Sequence, residues 1–397
     1  MSYPDPIIPK ALPASAKIAF ISPSLRINTV LPAPLARSIA LFESLGHKVT
    51  TIFSNTGEDE DPVSSDGRSV HASIANRLAE LRAAFAGDFD AVFCTIGGST
   101  MTQLIPYLVE DAELLELVRK NPKIVVGYSD ITVLHWSLRA LTGLRTFYGP
   151  GPIAEFGEAP TSTRESVSRF LSAAVDGNSG ETTKDVDDGY LQDFHLAHLL
   201  STISSPNTFP GPVPRSKYYA PLPASYFFTA PTETTPRALF PTPPWIWLRP
   251  GRAEGRLFGG CLTVVSRIQG IPRITPDWRG KVLFLESAMA EGDLTKGNPL
   301  ERVTQAVADL AARGVFDEIS GLVIGRPHGY DSERARAEYA ASFTGLLCHG
   351  RFAKRPFPIL MNVDTGHTSP LVTLPMDAMA VLDSERDEFA IAETVVV

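Results

Sequence analysis

The sequence predicts an α/β protein in which a doubly wound parallel sheet is followed by a smaller α/β region. In the first 150 residues, short apolar runs alternate with stretches whose apolar residues recur at helical spacing, a pattern typical of strand–helix units. The apolar runs are nearly continuous, as expected of parallel strands buried on both faces. A proline-rich stretch at 206–250, with 12 of the 33 prolines, separates these units from a second group of apolar runs.

The N-terminal units can be followed one by one. We expect strands at 17–22, 47–53, 90–96, 123–128 and 145–148, and helices between them at 34–45, 73–85, 111–118 and 131–141. Gly46 is a natural end for the first helix, and Ser73 has the hydroxyl expected of an N-cap for the second. Because each strand is followed by a helix, consecutive strands should lie parallel.

The C-terminal region starts near Trp245 and repeats the alternation less regularly. Strands are expected at 255–262, 281–287, 321–325, 358–361, 371–375 and 379–383, and helices at 299–313 and 333–347. Residues 206–250 should form neither helix nor central strand, because proline lacks an N–H donor and restricts φ. We therefore predict an N-terminal domain at 1–177, a proline-rich connection or lid at 178–250, and a C-terminal domain at 251–397.

Composition and charge exclude several classes of protein. The chain has 397 residues, 44% hydrophobic and 20% charged, which argues against disorder, collagen and coiled coil. A net charge of −8 argues against nucleic-acid binding. Three cysteines, Cys94, Cys261 and Cys348, are too few for a disulfide framework. With neither a membrane-length apolar run nor a secretory signal in the sequence, we expect a soluble cytoplasmic protein without a membrane partner.

The segment KIVVGYSDITVLHWSL at 123–138 is the most informative for chemistry. It puts Ser129 at a turn between a strand and a helix, where free backbone N–H groups and the positive helix end lie near the side chain. A nucleophile elbow presents its serine in this way, although G-Y-S-D differs from the G-x-S-x-G pattern. The alternative is that Ser129 or Asp130 only caps the helix.

Two glycines follow the third predicted strand, in TIGGST at 95–100. Glycine at the carboxyl end of a strand lets a ligand approach the backbone, and open α/β sheets bind ligands at this edge. A tight turn is the alternative. Because the segment is not G-x-G-x-x-G and no P-loop lysine follows, nucleotide-phosphate binding and a nucleotide-dependent oxidoreductase are only weakly supported.

A serine nucleophile needs a base, and the base needs an orienting acid. His367 lies in the polar loop NVDTGHTSP, which can present an imidazole to another domain. Glu286 closes the apolar run VLFLE, an unusual position for an acid, although a solvated strand end is the alternative. His135 is expected to pack within its helix. His195 and His198 form H-x-x-H without a third ligand, so no zinc site is expected.

Several segments together resemble the LD-carboxypeptidase family of serine peptidases, and within it the microcin immunity subgroup. They are the glycine pair, NPKIVVGYSDITVLH, TFYGP, GRLFGGCL, VLFLE and NVDTGH, in this order. The resemblance spans residues 15–385. It implies a Rossmann-like, doubly wound N-terminal domain and a C-terminal α/β domain with the active site between them. It also implies a homodimer that needs no metal or other cofactor.

The resemblance implies roles for five residues. Ser129 matches the nucleophile, His367 the general base, and Glu286 the acid that orients the base. The oxyanion hole maps to the backbone amides of Gly98 and Asp130. The chain order Ser, Glu, His is compatible with a triad that only folding assembles.

Four further residues are candidate substrate contacts. Cys261 stands where the family often has asparagine after a glycine pair, and its apolar surroundings argue against a nucleophilic cysteine. Trp245 or Trp247 can stack on a planar group of the substrate, or pack in the core. Arg326 can bind a carboxylate bidentately, or be structural.

We therefore expect a serine hydrolase that cleaves a peptide or amide bond through an acyl-enzyme. One candidate substrate is the amide between an aminoacyl or peptidyl group and a nucleotide-like toxin, as in microcin immunity. The alternative is the bond between an L-residue and a terminal D-residue, as in the muramoyl-tetrapeptide LD-carboxypeptidases of murein recycling. A small peptide, a muropeptide or an aminoacyl-nucleotide is thus the expected partner. A small-molecule binding protein without catalysis is the other alternative.

Overall fold

The structure is a computed structural model that describes residues 3–53, 64–176 and 189–397. Two β-sheets with helices between and around them confirm the α/β class predicted from the sequence. Residues 178–188, at the start of the predicted connection, lie outside the described residues. The division into 1–177, 178–250 and 251–397 stays a prediction.

The first sheet is built from the N-terminal strand–helix units. Its strands are β1 Lys17–Ile21, β2 Lys48–Thr51, β3 Ala91–Cys94, β4 Ile124–Gly127 and β5 Phe147–Tyr148. They lie in the order β2-β1-β3-β4-β5, all parallel, which is a doubly wound arrangement. The helices of these units are α1 Pro32–Ser44, α2 Gly67–Ala86, α3 Ile105–Leu108, α4 Ala112–Lys120 and α5 Thr132–Thr142.

The remaining strands complete the first sheet and form the second sheet and two two-stranded sheets. They are β6 Gly211–Pro212, β7 Tyr218–Tyr219, β8 Phe240–Pro241, β9 Ile246–Arg249, β10 Arg252–Cys261, β11 Val282–Glu286, β12 Met289–Ala290, β13 Asp293–Gly297, β14 Gly321–Gly325, β15 Ile359–Val363, β16 Leu374–Pro375, β17 Met379–Asp383 and β18 Glu388–Ile391. The second sheet has the order β6-β18-β17-β10-β11-β14-β15-β9. Its four consecutive strands from β10 to β15 are parallel, and its outer pairs are antiparallel.

The remaining helices lie in the later part of the chain. They are α6 Arg164–Asp176, α7 Tyr190–Ile203, α8 Leu262–Ile268, α9 Leu300–Ala312, α10 Val315–Glu318 and α11 Glu333–Leu347. Short 3-10 turns occur at Met101–Leu104, Ser129–Ile131, Ser225–Phe227 and Gly350–Lys354.

Helix α5 joins the two sheets and is buried along its whole length. The indole N–H of Trp136 donates to the carbonyl of Gly259 in β10, at 2.9 Å. A Cβ on Gly260, whose φ is +137°, would lie only 2.4 Å from the Thr132 hydroxyl oxygen. Gly260 therefore lets β10 approach the start of α5, and this contact brings the second sheet to the carboxyl end of β4.

Two segments differ from the expected elements. The run 371–375 was expected as a strand of the C-terminal region, but only Leu374–Pro375 is a strand, and it pairs antiparallel with β5 of the first sheet. The prediction was wrong because a wholly buried apolar run carries no periodicity that tells which sheet receives it. Within the predicted connection at 178–250, α7 is a buried fourteen-residue helix that precedes the proline-rich stretch. The proline-rich part forms only short strands, with β6 and β9 at the edges of the second sheet, where proline is tolerated.

Across the described ranges, no helix combines the length and apolar character needed to cross a membrane.

Candidate active site

The structure brings three of the predicted residues into one hydrogen-bonded row. Ser129 follows β4, Glu286 is the last residue of β11, and His367 lies in the loop between β15 and β16. The Ser129 Oγ lies 3.0 Å from His367 Nε2. The His367 Nδ1 lies 2.7 Å from Glu286 Oε2. An imidazole with a hydroxyl on one nitrogen and a carboxylate on the other is able to accept the hydroxyl proton.

Ser129 occupies a sharp turn that its neighbours enforce. Its φ is +64°, in the left-handed region that a non-glycine residue seldom adopts. A Cβ on Gly97 would lie 2.7 Å from Ser129 Cβ and 3.0 Å from Ser129 Oγ. Only glycine fits at this position, so the glycine pair after β3 serves the close approach of two backbones. The expected turn and the expected serine thus belong to one local arrangement.

The backbone amides around Ser129 are not equivalent. The Ser129 N–H donates to the Tyr148 hydroxyl at 3.0 Å, so it is directed away from the reacting position. Asp130 is the second residue of the 3-10 turn, and N–H groups in a first turn lack an acceptor within the helix. Gly98, with φ +142°, lines the cavities next to Ser129. Among the predicted oxyanion donors, Gly98 and Asp130 therefore both lie beside the serine.

The side chain of Asp130 has a separate, structural task. It is wholly buried and accepts hydrogen bonds from the Ser24 hydroxyl at 2.6 Å and the Met101 amide at 2.8 Å. It also forms an ion pair with Arg267. Because Ser24 in turn accepts from Thr100, this carboxylate ties the loop after β3 to the start of α5.

Glu286 is wholly buried, and both of its carboxylate oxygens have partners. Oε2 faces His367, and Oε1 accepts from the Tyr148 hydroxyl at 2.5 Å. A Cβ on Gly366 would lie 2.7 Å from Glu286 Oε2. The glycine before His367 is therefore needed for the histidine loop to pack against the carboxylate. The alternative of a solvated strand end is wrong for Glu286.

The structure supports the structural alternative for Arg326. Its buried guanidinium pairs with Asp364 at 2.5 Å and donates to the Thr368 hydroxyl at 2.9 Å and the Pro370 carbonyl at 3.2 Å. All three partners lie on the loop that carries His367. The guanidinium is therefore engaged inside the fold, and it holds the histidine loop instead of an incoming carboxylate.

The structure supports the packing alternative for the two tryptophans, which lie outside the two cavities beside Ser129. Trp245 is buried against Phe389, and the Arg215 guanidinium lies 3.8 Å above its ring. The Trp247 indole donates to Asp387 at 2.8 Å. Of the described residues that line the cavities at Ser129, neither tryptophan is one. Trp247 lies in β9, the edge strand of the second sheet, where it is paired with Leu360 of β15.

Cys261 does line a cavity next to Ser129. Its side chain is nearly buried, and its amide donates to the Thr132 hydroxyl at 3.2 Å. Burial, and after it the charge of Glu286, raises the pKa of the Cys261 thiol. The thiol therefore stays protonated near neutral pH, in agreement with the argument against a nucleophilic cysteine.

Ser129 lies between two cavities. One has a volume of about 560 Å³ and includes Cys261, Arg267 and Arg302 in its wall. The other has a volume of about 480 Å³ and includes the aromatic rings of Tyr128 and Phe227. Gly98, Ser129 and the segment 288–291 belong to both walls. A substrate with two chemically different parts can therefore meet Ser129 with one part on each side.

Sequence reasoning missed two buried residues of the site, Tyr148 and Glu155. Tyr148 lies in TFYGP, which carried part of the resemblance without a role of its own. Glu155 lines the cavity with His367 and accepts from the Tyr128 hydroxyl and the Gly151 amide, both at 2.7 Å. Burial raises the pKa of Glu155 to about 7. No spacing or motif in the sequence marks Glu155, and TFYGP gives no sign of what Tyr148 contacts.

The other predicted histidines are buried in the fold. His135 lies 2.8 Å from the Thr146 hydroxyl and 2.9 Å from the Gly127 carbonyl, and burial lowers its pKa to about 4. Burial lowers the pKa of His195 to about 3 and that of His198 to about 4. His198 accepts from the Thr373 amide at 2.8 Å. In the part of the chain that the structure describes, no three His, Cys, Asp or Glu side chains are grouped to hold a metal.

Two models of one protein family match this chain. The family model of the LD-carboxypeptidase N-terminal domain matches residues 18–149, and that of the LD-carboxypeptidase C-terminal domain matches residues 254–382. Together the two matches cover more than half of the chain.

Two curated relatives and one solved structure extend the comparison. A Bacillus subtilis protein named "Probable murein peptide carboxypeptidase" is 25% identical, over 95% of this chain and 91% of that protein. The microcin C7 self-immunity protein MccF of Escherichia coli is 25% identical, over 77% of this chain and 74% of that protein. A structure of MccF in complex with glutamyl sulfamoyl guanosine is 22% identical, covers 99% of this chain and 100% of that chain, and has a TM-score of 0.75. This last likeness concerns the fold.

Proposed function

Because the chain belongs to the LD-carboxypeptidase family of serine peptidases, we propose that it hydrolyses a peptide or amide bond through Ser129, His367 and Glu286. The observation that carries this proposal is the continuous row from Ser129 Oγ to His367 Nε2, 3.0 Å, and from His367 Nδ1 to Glu286 Oε2, 2.7 Å. Each residue type has the position that its chemistry requires.

The first half of the reaction forms an acyl-enzyme. His367 accepts the Ser129 proton at Nε2 while the hydroxyl oxygen attacks the substrate carbonyl carbon. Buried Glu286 accepts a hydrogen bond from Nδ1 and stabilises the imidazolium that forms. The imidazolium then gives its proton to the leaving nitrogen, the C–N bond breaks, and an amine departs.

The second half releases the acyl group as a carboxylate. A water molecule takes the place of the amine, gives a proton to His367, and attacks the ester carbonyl. The C–O bond to Ser129 then breaks, and His367 returns the proton to Ser129 Oγ. The Gly98 and Asp130 amides stabilise the oxyanion in both halves, an effect worth about 3–4 kcal/mol per donor in other serine hydrolases. The Ser129 amide takes no part, since it donates to Tyr148.

For the substrate, the proposal is an amide that joins an aminoacyl or peptidyl group to a nucleotide-like group. The relative MccF, solved with glutamyl sulfamoyl guanosine, supports this class. The two cavities beside Ser129 also support it, because the acyl part and the leaving part differ strongly in chemistry. The rings of Tyr128 and Phe227 suit a planar base.

A muropeptide with a terminal D-residue is the second candidate. The named murein peptide carboxypeptidase among the relatives supports it. So do Arg267 and Arg302 in the larger cavity, because guanidinium groups bind carboxylates. Arg267 also pairs with Asp130 and keeps 40% of its side chain exposed, so part of its fork faces the cavity.

Mass-spectrometric turnover by the wild type and by Ser129→Ala distinguishes these proposals. The substrates are a muropeptide ending in D-Ala and an aminoacyl sulfamoyl adenosine. Cleavage of the adenosine conjugate alone, lost in the variant, supports the immunity-type amidase, and release of D-Ala supports the murein enzyme. Cleavage that survives Ser129→Ala contradicts the mechanism. A requirement for a free substrate carboxylate is expected only of the carboxypeptidase.

The assembly and the location are also proposals. The family resemblance supports a homodimer, which light scattering of the purified protein tests directly. A cytoplasmic location is tested by fractionation of the source cells, with recovery in a membrane or extracellular fraction as the contrary result.

A further inference from the structure

Tyr148 connects the nucleophile to the acid. Its hydroxyl accepts a hydrogen bond from the Ser129 amide at 3.0 Å and donates to Glu286 Oε1 at 2.5 Å. We infer that Tyr148 is a positioning residue that couples the backbone of the nucleophile to the carboxylate orienting the base. This inference rests on the proposed function, because it gives Tyr148 a task only if Ser129 and Glu286 act as proposed.

The fold sets Tyr148 in this place. β5 lies parallel to β4, with Tyr148 paired to Gly127, two residues before Ser129. The ring is fully buried, 5.1 Å from the ring of Phe284 on β11 and 5.9 Å from the ring of His135 on α5. Contacts on both sides hold the ring between the two sheets, so the hydroxyl has a fixed position relative to both catalytic strands.

The hydrogen-bonding capacity of a phenol matches the two partners. A tyrosine hydroxyl has one proton to donate and lone pairs with which to accept. The proton goes to Glu286, and a lone pair receives the Ser129 N–H. This second bond stabilises the left-handed backbone of Ser129, whose φ is +64°. It also explains why the oxyanion donors are the amides of other residues.

The bond to Glu286 fixes the plane of its carboxylate. Oε2 faces His367 and Oε1 faces Tyr148, so rotation of the carboxylate would break two hydrogen bonds at once. Burial, and after it the charge of Glu286, holds the pKa of Tyr148 well above its usual range. The hydroxyl thus keeps its proton and remains a donor throughout the working pH range.

Other titratable groups surround this row. Burial lowers the pKa of His135 and His328 and raises the pKa of Tyr128, Cys261 and Tyr339, so it favours the neutral form of each. Glu155 differs, because burial raises its pKa to about 7. The pH dependence of the Ser129 labelling rate is therefore measured with and without Glu155→Gln. A change in rate that is caused by titration of Glu155 disappears in this variant.

The test measures the reactivity of Ser129 with a fluorophosphonate, which forms an O–P bond to the serine and releases fluoride. Tyr148→Phe removes only the hydroxyl. We expect labelling about 10- to 100-fold slower, the range for loss of a hydrogen bond to a charged group. The acid limb should move to higher pH, because a carboxylate with one hydrogen bond fewer stabilises protonated His367 more strongly. Tyr339→Phe, which removes another buried hydroxyl, bonded to Ser287, is the matched control.

If a thermal melt shows that Tyr148→Phe folds poorly, a second variant tests the same inference. A fluorinated tyrosine introduced at position 148 retains both partners and donates more strongly, so the acid limb should move to lower pH. Equal labelling rates and equal acid limbs in the wild type and the Tyr148 variants would overturn the inference and leave the proposed function standing. No labelling of wild-type Ser129 would overturn both.

Discussion

The two sides of the candidate site hold their reactive atoms by different means. The nucleophile is positioned by the main chain: Ser129 has a φ of +64°, and Gly97 lies so close that a Cβ there would be 2.7 Å from Ser129 Cβ. The base is positioned by buried charge, since its loop is held by the ion pair of Arg326 and Asp364 at 2.5 Å. An added methyl group should therefore disturb the nucleophile side, and removal of a charge should destabilise the base side.

Breaking the link between the two sides should have the largest effect. In Glu286→Gln, the amide no longer carries the charge that stabilises the imidazolium of His367. We expect kcat to fall by about 10⁴-fold with KM little changed, as in comparable acid-to-amide variants of serine hydrolases. Steady-state kinetics on the substrate that the wild type cleaves measures this change. A loss confined to KM would contradict the orienting role.

Removing the cation of the base side should cost the most stability. Arg326→Ala leaves Asp364 buried without its partner, and one-sided removal from a buried pair costs about 3–5 kcal/mol. Denaturant unfolding measures the loss. The double variant Arg326→Met with Asp364→Asn is the control, because it removes both charges and should recover part of the stability. A single variant as stable as the wild type would contradict the charge-based attachment.

Glu155 is a second buried carboxyl on the side of the base, where it lines a cavity with His367. It accepts hydrogen bonds from the Tyr128 hydroxyl and the Gly151 amide. Its pKa is raised from 4.5 to about 7, so between these values the folded state binds a proton that the unfolded chain has released. Stability should thus fall as pH rises through this window, by up to about 3 kcal/mol. Relative to the wild type, Glu155→Gln should gain stability between pH 4.5 and 8. A constant difference in unfolding free energy would contradict the raised pKa.

The smallest effects test the main-chain side. Gly97→Ala places a methyl group against Ser129, and we expect about 1–3 kcal/mol of destabilisation from overpacking together with slower labelling of Ser129. Gly345→Ala is the matched control, because a Cβ there meets nothing within 4 Å and the residue lies inside α11. It should stabilise the fold by up to about 1 kcal/mol. Thermal melts of both variants measure the contrast.

Much of the fold and part of the site could be predicted because they depend on local patterns. The strand–helix alternation up to 148 is periodic, and the structure has each of the expected strands and helices. The N-cap prediction for Ser73 was wrong, because α2 begins earlier, with Asp66 as its N-cap. Ser129, Glu286 and His367 stand at turns or strand ends that the sequence marks, and the structure brings them together. Their catalytic roles stay a prediction.

What escaped prediction depends on contacts between distant segments. Arg326 follows an apolar strand, but no nearby sequence pattern predicts that its guanidinium donates to Asp364 and Thr368. Tyr148 contacts Ser129, and Glu155 lines a cavity together with His367, only because folding brings β5 and the loop after it to these residues. A buried run such as 371–375 likewise joins whichever sheet has a free edge, and sequence periodicity carries no information on that choice.

The central claim is that Ser129 carries the acyl group between the two half-reactions. Intact-protein and peptide mass spectrometry of a rapidly quenched reaction, with the substrate that the wild type turns over, tests it most directly. We predict an added mass equal to the acyl part on the peptide that contains Ser129, present in the wild type and absent in Ser129→Ala. Turnover that continues in Ser129→Ala, with no adduct on that peptide in the wild type, would contradict the account.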